Sequence, residues 1–156
     1  VIVCIDSGAK AAGVSIFENG ELTTAWLARG KTWEETADDV LDKMPVTTDL
    51  VQTVVIERMQ IYDSTPLAHA NDCITLSLMA GRVTGFFLEA NIVEYVPHTW
   101  KGGVPKNIMT KRIIDKLSQD EIGRVDLPRA KDLHHNIWDA VGLGIYHTRG
   151  RYVFGR

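Results

Sequence analysis

The sequence predicts an α/β fold in which a mixed five-stranded sheet, three antiparallel strands and then parallel ones, is flanked by helices. Short apolar runs at residues 1–5, 51–56 and 92–96 have the length and β-branched content of strands. Asn19-Gly20 is the strongest short hairpin signal available, and it separates two further strand-like runs. From Thr32 onward, helix signals fall between the strands, which is the order of crossover units. The 156 residues, 45% of them hydrophobic, suffice for one core, so one domain spanning 1–156 is expected.

Val1 to Ile5 makes the first strand and ends on Asp6, with Ser7-Gly8 as the turn behind it. Gly13 to Phe17 and Glu21 to Leu27 make the hairpin. Thr32-Trp33-Glu34-Glu35 reads as a capping box, in which the Thr32 hydroxyl and the Glu35 carboxylate satisfy free amides at the start of a helix reaching about Lys43. Val51 to Ile56 is a β-branched run of the kind buried on both faces, and it delivers Glu57 at its end. A long helix rich in small and apolar residues is expected over about 71–90, followed by a strand from Ile92 to Val96 that Pro97 closes. Pro105 suits the first turn of a helix over about 106–117 with Met109, Ile113 and Leu117 on one stripe, and a last helix runs from about Lys131 to His147.

No apolar stretch approaches the ~18 residues that cross a bilayer, and no basic-then-apolar leader precedes Val1, so an intracellular protein, cytoplasmic or organellar, is expected. Cys4 and Cys73 lie in apolar runs without the spaced partners of a zinc site and read as reduced core residues. The net charge of −3 weighs against a nucleic-acid binder, but its distribution does not. Between Trp100 and Arg112 stand Lys101, Lys106, Lys111 and Arg112 with no acid among them, while acids gather at Glu34 to Asp42. Such a locally basic face attracts phosphates over a Debye length of ~8–10 Å.

Asp6 and Glu57 each stand where an apolar strand stops. On neighbouring strands their side chains would emerge together, repel, and need a cation; a set of oxygen donors favours Mg²⁺ or Mn²⁺ over zinc. Asp139 lies between Ile137-Trp138 and the apolar run Ala140 to Ile145, where an unpaired carboxylate would cost several kcal/mol. At ~100° per residue, Asn136, His135 and Asp132 share its helical face. Taken singly, Asp6 has a plainer explanation as a turn residue and Glu57 as a solvated strand end, whereas the placement of Asp139 wants a reason.

Five stretches together carry a family likeness: Val3-Cys4-Ile5-Asp6-Ser7-Gly8 with Gly13-Val14-Ser15-Ile16; Val54-Val55-Ile56-Glu57; Leu78-Met79-Ala80-Gly81-Arg82-Val83-Thr84-Gly85; Tyr95-Val96-Pro97-His98-Thr99-Trp100-Lys101 with Lys106; and Asn136-Ile137-Trp138-Asp139-Ala140-Val141-Gly142-Leu143-Gly144. Over nearly the whole chain this pattern resembles the RuvC-like Holliday-junction resolvases of the ribonuclease H-like superfamily. Ser7 stands where the family usually has proline, and Asn136 where it has a fourth metal-binding acid or histidine. Three readings of Asn136 fit: an inactivating substitution, a natural weak ligand, or a bystander whose role passes to His135.

The resemblance implies a ribonuclease H-like fold and an endonuclease that resolves four-way junctions using two Mg²⁺ or Mn²⁺ ions about 4 Å apart. Asp6 would bridge them, with Glu57, Asp139 and position 135 or 136 completing the shells, and the products would carry 5′-phosphate and 3′-hydroxyl ends. Lys101 and Lys106 match the family's phosphate-neutralising positions, and Lys111 and Arg112 add backbone contacts. Trp100 either packs beneath that loop or stacks on a base. After Glu57 the family places a junction wedge, for which Met59 and Tyr62 are the candidates here. Symmetric cutting calls for a homodimer, with the 71–90 helix as interface through Leu76, Met79 and Val83, and with Gly81 and Gly85 permitting close approach. Other readings remain open: a branched-DNA binding protein that does not cut, a related nuclease acting on flaps or RNA–DNA hybrids, and an ATPase of the actin or sugar-kinase type, whose paired domains need more chain than this.

Overall fold

A computed structural model describes residues 1–60, 66–150 and 153–154, with only the backbone of 67 and 68. Strands β1 (Ile2–Asp6), β2 (Ala11–Glu18) and β3 (Glu21–Arg29) form the antiparallel meander; Asn19 (φ 53°) and Gly20 (φ 84°) adopt the positive φ that a two-residue hairpin turn demands. β4 (Thr53–Glu57) and β5 (Asn91–Tyr95) join in parallel, giving the order β3-β2-β1-β4-β5. Ile5 pairs with Ile56 across the parallel β1–β4 ladder, so Asp6 and Glu57 leave adjacent strands at the same edge.

Helix α1 (Trp33–Asp42) starts as its sequence demands: the Thr32 hydroxyl accepts from the Glu35 amide, and the Glu35 carboxylate accepts from the Lys31 amide at 2.7 Å. α2 (Leu67–Thr84) differs from the expected 71–90 span at both ends. It begins behind Pro66, and it stops at Thr84 because the chain turns to drive Phe87 into the core while Phe86 and Leu88 stay exposed. Pro97 does more than close β5, since it sits at the first position of a one-turn helix, α3 (Pro97–Trp100). α4 (Lys106–Ile114) and the turn after it bury Met109, Ile113 and Leu117 as the stripe requires.

Between α4 and the last helix lies α5 (Gln119–Gly123), absent from the expected element order. It has a full capping box between Ser118 and Glu121, and the other oxygen of the Glu121 carboxylate accepts from the Leu22 amide at 3.0 Å and pairs with Arg149 at 3.1 Å. Burial alone would raise the Glu121 carboxyl, but these hydrogen bonds and the guanidinium bring it below its ordinary range. Just beyond, Asp126 and Arg124 bond the backbone of Ala25, partly covering the outer edge of β3.

α6 (His134–Arg149) begins later than expected; Asp132 lies in a 3-10 turn before it, exposed, and so does not share the helical face of Asp139. The sheet separates two apolar layers. Val3, Ile5, Val14 and Val54 face α1 and α2, whereas Cys4, Phe17, Val55 and Leu27 face α4 and α6. α6 lies unusually close to β2: the buried Ser15 hydroxyl donates to the Ala140 carbonyl at 2.9 Å, and a Cβ at Gly13 would stand 1.8 Å from the Asn136 backbone oxygen. Neither backbone can yield there. Gly13→Ala is therefore expected to cost at least about 3 kcal/mol, lowering the melting midpoint by roughly 6–12 °C in a thermal unfolding scan, where an ordinary surface Gly→Ala change would move it little.

Candidate active site

Three carboxylates come together at one edge of the sheet, each brought by a different element. Asp6 ends β1, Glu57 ends β4, and Asp139 lies one turn into α6. Glu57 and Asp139 are buried, with 7% of each residue exposed, while Asp6 is half-buried. Within α6, Ile137, Trp138 and Ala140 sink into the core and hold the backbone that carries Asp139. The docking of α6 at Gly13 thus sets how near Asp139 comes to the strand ends.

The charge of this group is met in part by one half-buried lysine. Lys101, just past α3, places its ammonium 2.9 Å from Glu57 Oε2, 3.3 Å from Glu57 Oε1 and 3.0 Å from Asp139 Oδ2. Burial works against that charge, but the Asp139, Glu57 and Asp6 carboxylates outweigh it and raise the lysine above its ordinary range. Asp6 is pushed well above the usual carboxylate range, first by burial and then by the charges of Glu57 and Asp139, with Lys101 and Lys106 opposing. The Trp100 indole N–H donates to Glu57 Oε2 at 2.7 Å, and the Lys101 ammonium lies 4.8 Å from the centre of the same ring. The Ser7 hydroxyl, next to Asp6, is buried without a hydrogen-bond partner among the described residues.

The expected convergence of Asp6, Glu57 and Asp139 therefore takes a particular form. Among the described residues no three acidic, histidine or cysteine side chains already stand as a group able to hold a metal ion. The space between Glu57 and Asp139 is taken by the Lys101 ammonium. Three acids against one lysine leave negative charge over, and hard oxygen donors of this kind suit a divalent ion such as Mg²⁺.

The other expected residues are dispersed. Asn136 is bound to the backbone, its amide donating to the Ala11 carbonyl on β2 at 3.1 Å. His135 lines an open groove of about 600 Å³ beside the site, together with Lys106, Lys131, His134 and Trp138. Lys131 and His134 in that groove were not singled out in the sequence, because their approach to Lys106 depends on how α4 and α6 pack. Lys111 is exposed on α4. Arg112 donates to the Phe154 carbonyl at 3.0 Å and lines a separate cavity of about 300 Å³ with His98 and Gly102. Met59 is half-buried over α2 beside Cys73 and Leu78, and Tyr62 lies outside the described residues. Trp100 packs rather than reaching outward, being 4% exposed.

No family model matches the sequence, and no curated protein does. Solved structures do match. The RuvC structure from Thermus thermophilus superposes on 96% of this chain and 96% of its own with a TM-score of 0.57 at 15% identity. A fowlpox virus resolvase, in complex with its Holliday junction substrate, covers 96% of this chain and 99% of its own with a TM-score of 0.59 at 19% identity. The T. thermophilus RuvC complex with a Holliday junction superposes on 96% of each chain, with a TM-score of 0.55 at 14% identity. At these identities the likeness is one of architecture: the chain has the ribonuclease H-like fold, in the arrangement seen in these resolvases.

Proposed function

We propose that this protein is a metal-dependent endonuclease that cuts four-way DNA junctions. The observation that carries the reading is the gathering of Asp6, Glu57 and Asp139 around the Lys101 ammonium, in a fold shared with two structures solved on junction DNA. Asp6, Glu57 and Asp139 are the residues that would hold Mg²⁺ or Mn²⁺, two ions per site, and such ions would supply Lewis acidity toward an attacking water and the departing 3′ oxygen. Hydrolysis of the P–O3′ bond leaves 5′-phosphate and 3′-hydroxyl ends.

The chain's own residues bind and orient the strand. Lys101, released from the acids, and Lys106 neutralise phosphate charge, and the groove of Lys106, Lys131 and His135 carries the strand past the site. Asn136 serves the fold in this reading. A carboxylate in its place would set oxygen against the Ala11 carbonyl, so the amide is the residue this backbone contact needs, and the protein cuts as it stands. Two copies, paired through α2, would present two sites; Met79 and Val83, expected at that interface, are instead buried in the core and Leu76 is half-buried, so the face open to a partner is the one carrying Ile74 and Leu78, both more than half exposed.

Incubation with a labelled four-way junction, a flap and a hybrid duplex is expected to yield paired nicks in the junction alone, in Mg²⁺ and not in EDTA. Asp6→Asn and Asp139→Asn should lower cutting by about 10³-fold or more while a gel shift persists. A shift with every strand intact would make the protein a binding module, and nicks arising independently on each strand would contradict the paired-subunit reading.

Lys101→Met gives a second expectation. It strands two buried carboxylates, which costs about 3 kcal/mol in the absence of divalent ions, and millimolar Mg²⁺ should restore much of the lost melting temperature. Equal losses with and without Mg²⁺ would show that no divalent ion takes the vacated position.

A further inference from the structure

Glu57 holds two cationic or polar partners of different kinds. Lys101 reaches it on a flexible four-carbon stem that the proposed function requires to leave; the Trp100 indole cannot leave. Trp100 is 4% exposed and lies in the core cluster between the sheet and α6. Its six-membered ring lies where a Cβ on Gly142 would meet Cζ3 at 2.7 Å, so α6 has a glycine where the ring needs room, three residues beyond Asp139. Phe154 stands over the ring at 6.4 Å between centroids, and Pro97 fixes the start of the single helical turn that presents it.

We infer that Trp100 is a positioning residue: its indole N–H fixes Glu57 Oε2 so that the carboxylate keeps its place beside Asp6 and Asp139 when the Lys101 ammonium moves away. This rests on the reading of Glu57 as a ligand for a divalent ion. The physical need is clear from the charges. Without Lys101, Glu57 faces two other acids and is repelled from them, and a neutral donor on a rigid ring holds it without competing for the cation. A tryptophan, with two torsions and a ring locked by packing, does this where a longer, looser donor would not.

The test uses the intact protein. Its four tryptophans give four indole N–H resonances in a nitrogen–proton correlation spectrum, and Trp100→Phe identifies one by its loss. That resonance is expected far downfield, and it should move on Glu57→Gln while the others stay. Calorimetric Mn²⁺ titration of Trp100→Phe should show affinity about 10- to 100-fold weaker, with junction affinity in EDTA unchanged. An indole resonance indifferent to Glu57→Gln, or wild-type Mn²⁺ affinity in Trp100→Phe, overturns the inference. Should Trp100→Phe lose the native spectrum, the Trp100 resonance is assigned in the unsubstituted protein through its contact with Phe154, and its response to Glu57→Gln and to Mn²⁺ decides alone. Weakened Mn²⁺ binding in a protein that cuts no junction would leave Trp100 as positioning residue and remove the nuclease reading instead.

Discussion

Three acids held near one another inside a protein are a standing electrostatic cost, and the rest of this structure is arranged around bearing it. Two of them are buried and share a single ammonium, while the third has its carboxyl raised above the ordinary range, first by burial and then by the charges of the other two. Lining a strand edge with hydrophobic residues would be the more stable solution. The acids are nonetheless retained, and the Lys101 ammonium meets part of their charge.

The fold delivers this grouping by pairing β1 with β4 in parallel, which places two strand ends side by side, and by laying α6 across the sheet. The second requirement is the more demanding. Gly13 and Gly142 allow backbone and ring to come closer than any side chain would permit, and Ser15 and Asn136 tie α6 to β2 through hydrogen bonds at 2.9 and 3.1 Å. Asp139 stands between those ties. Positions of this kind govern the site without touching anything that reacts there.

Much of this was legible in the sequence, since strand ends, hairpin turns and helix caps are local signals. Asp6 and Glu57 could be placed because a β-branched run that stops on an acid shows both the strand and its edge, and Asp139 because a carboxylate inside an apolar helix demands a reason. The capping box at Ser118 and Glu121 was equally available, and α5 follows from the same rule that finds α1. The α2 bounds were not, because the chain leaves the helix to bury Phe87, a tertiary preference. Asp132 falls off the Asp139 face because the helix starts at His134, which no residue near 131 announces. The partners of Asn136 and Trp100 lie 125 and 43 residues away, and only the packed structure discloses them.

Soaking crystals of the protein in Mn²⁺ and mapping the anomalous signal is the most direct measurement. The account predicts density bounded by the side chains of Asp6, Glu57 and Asp139, with the Lys101 ammonium displaced from between the last two. Strong density elsewhere on the molecule, with Lys101 still bridging Glu57 and Asp139, would contradict it.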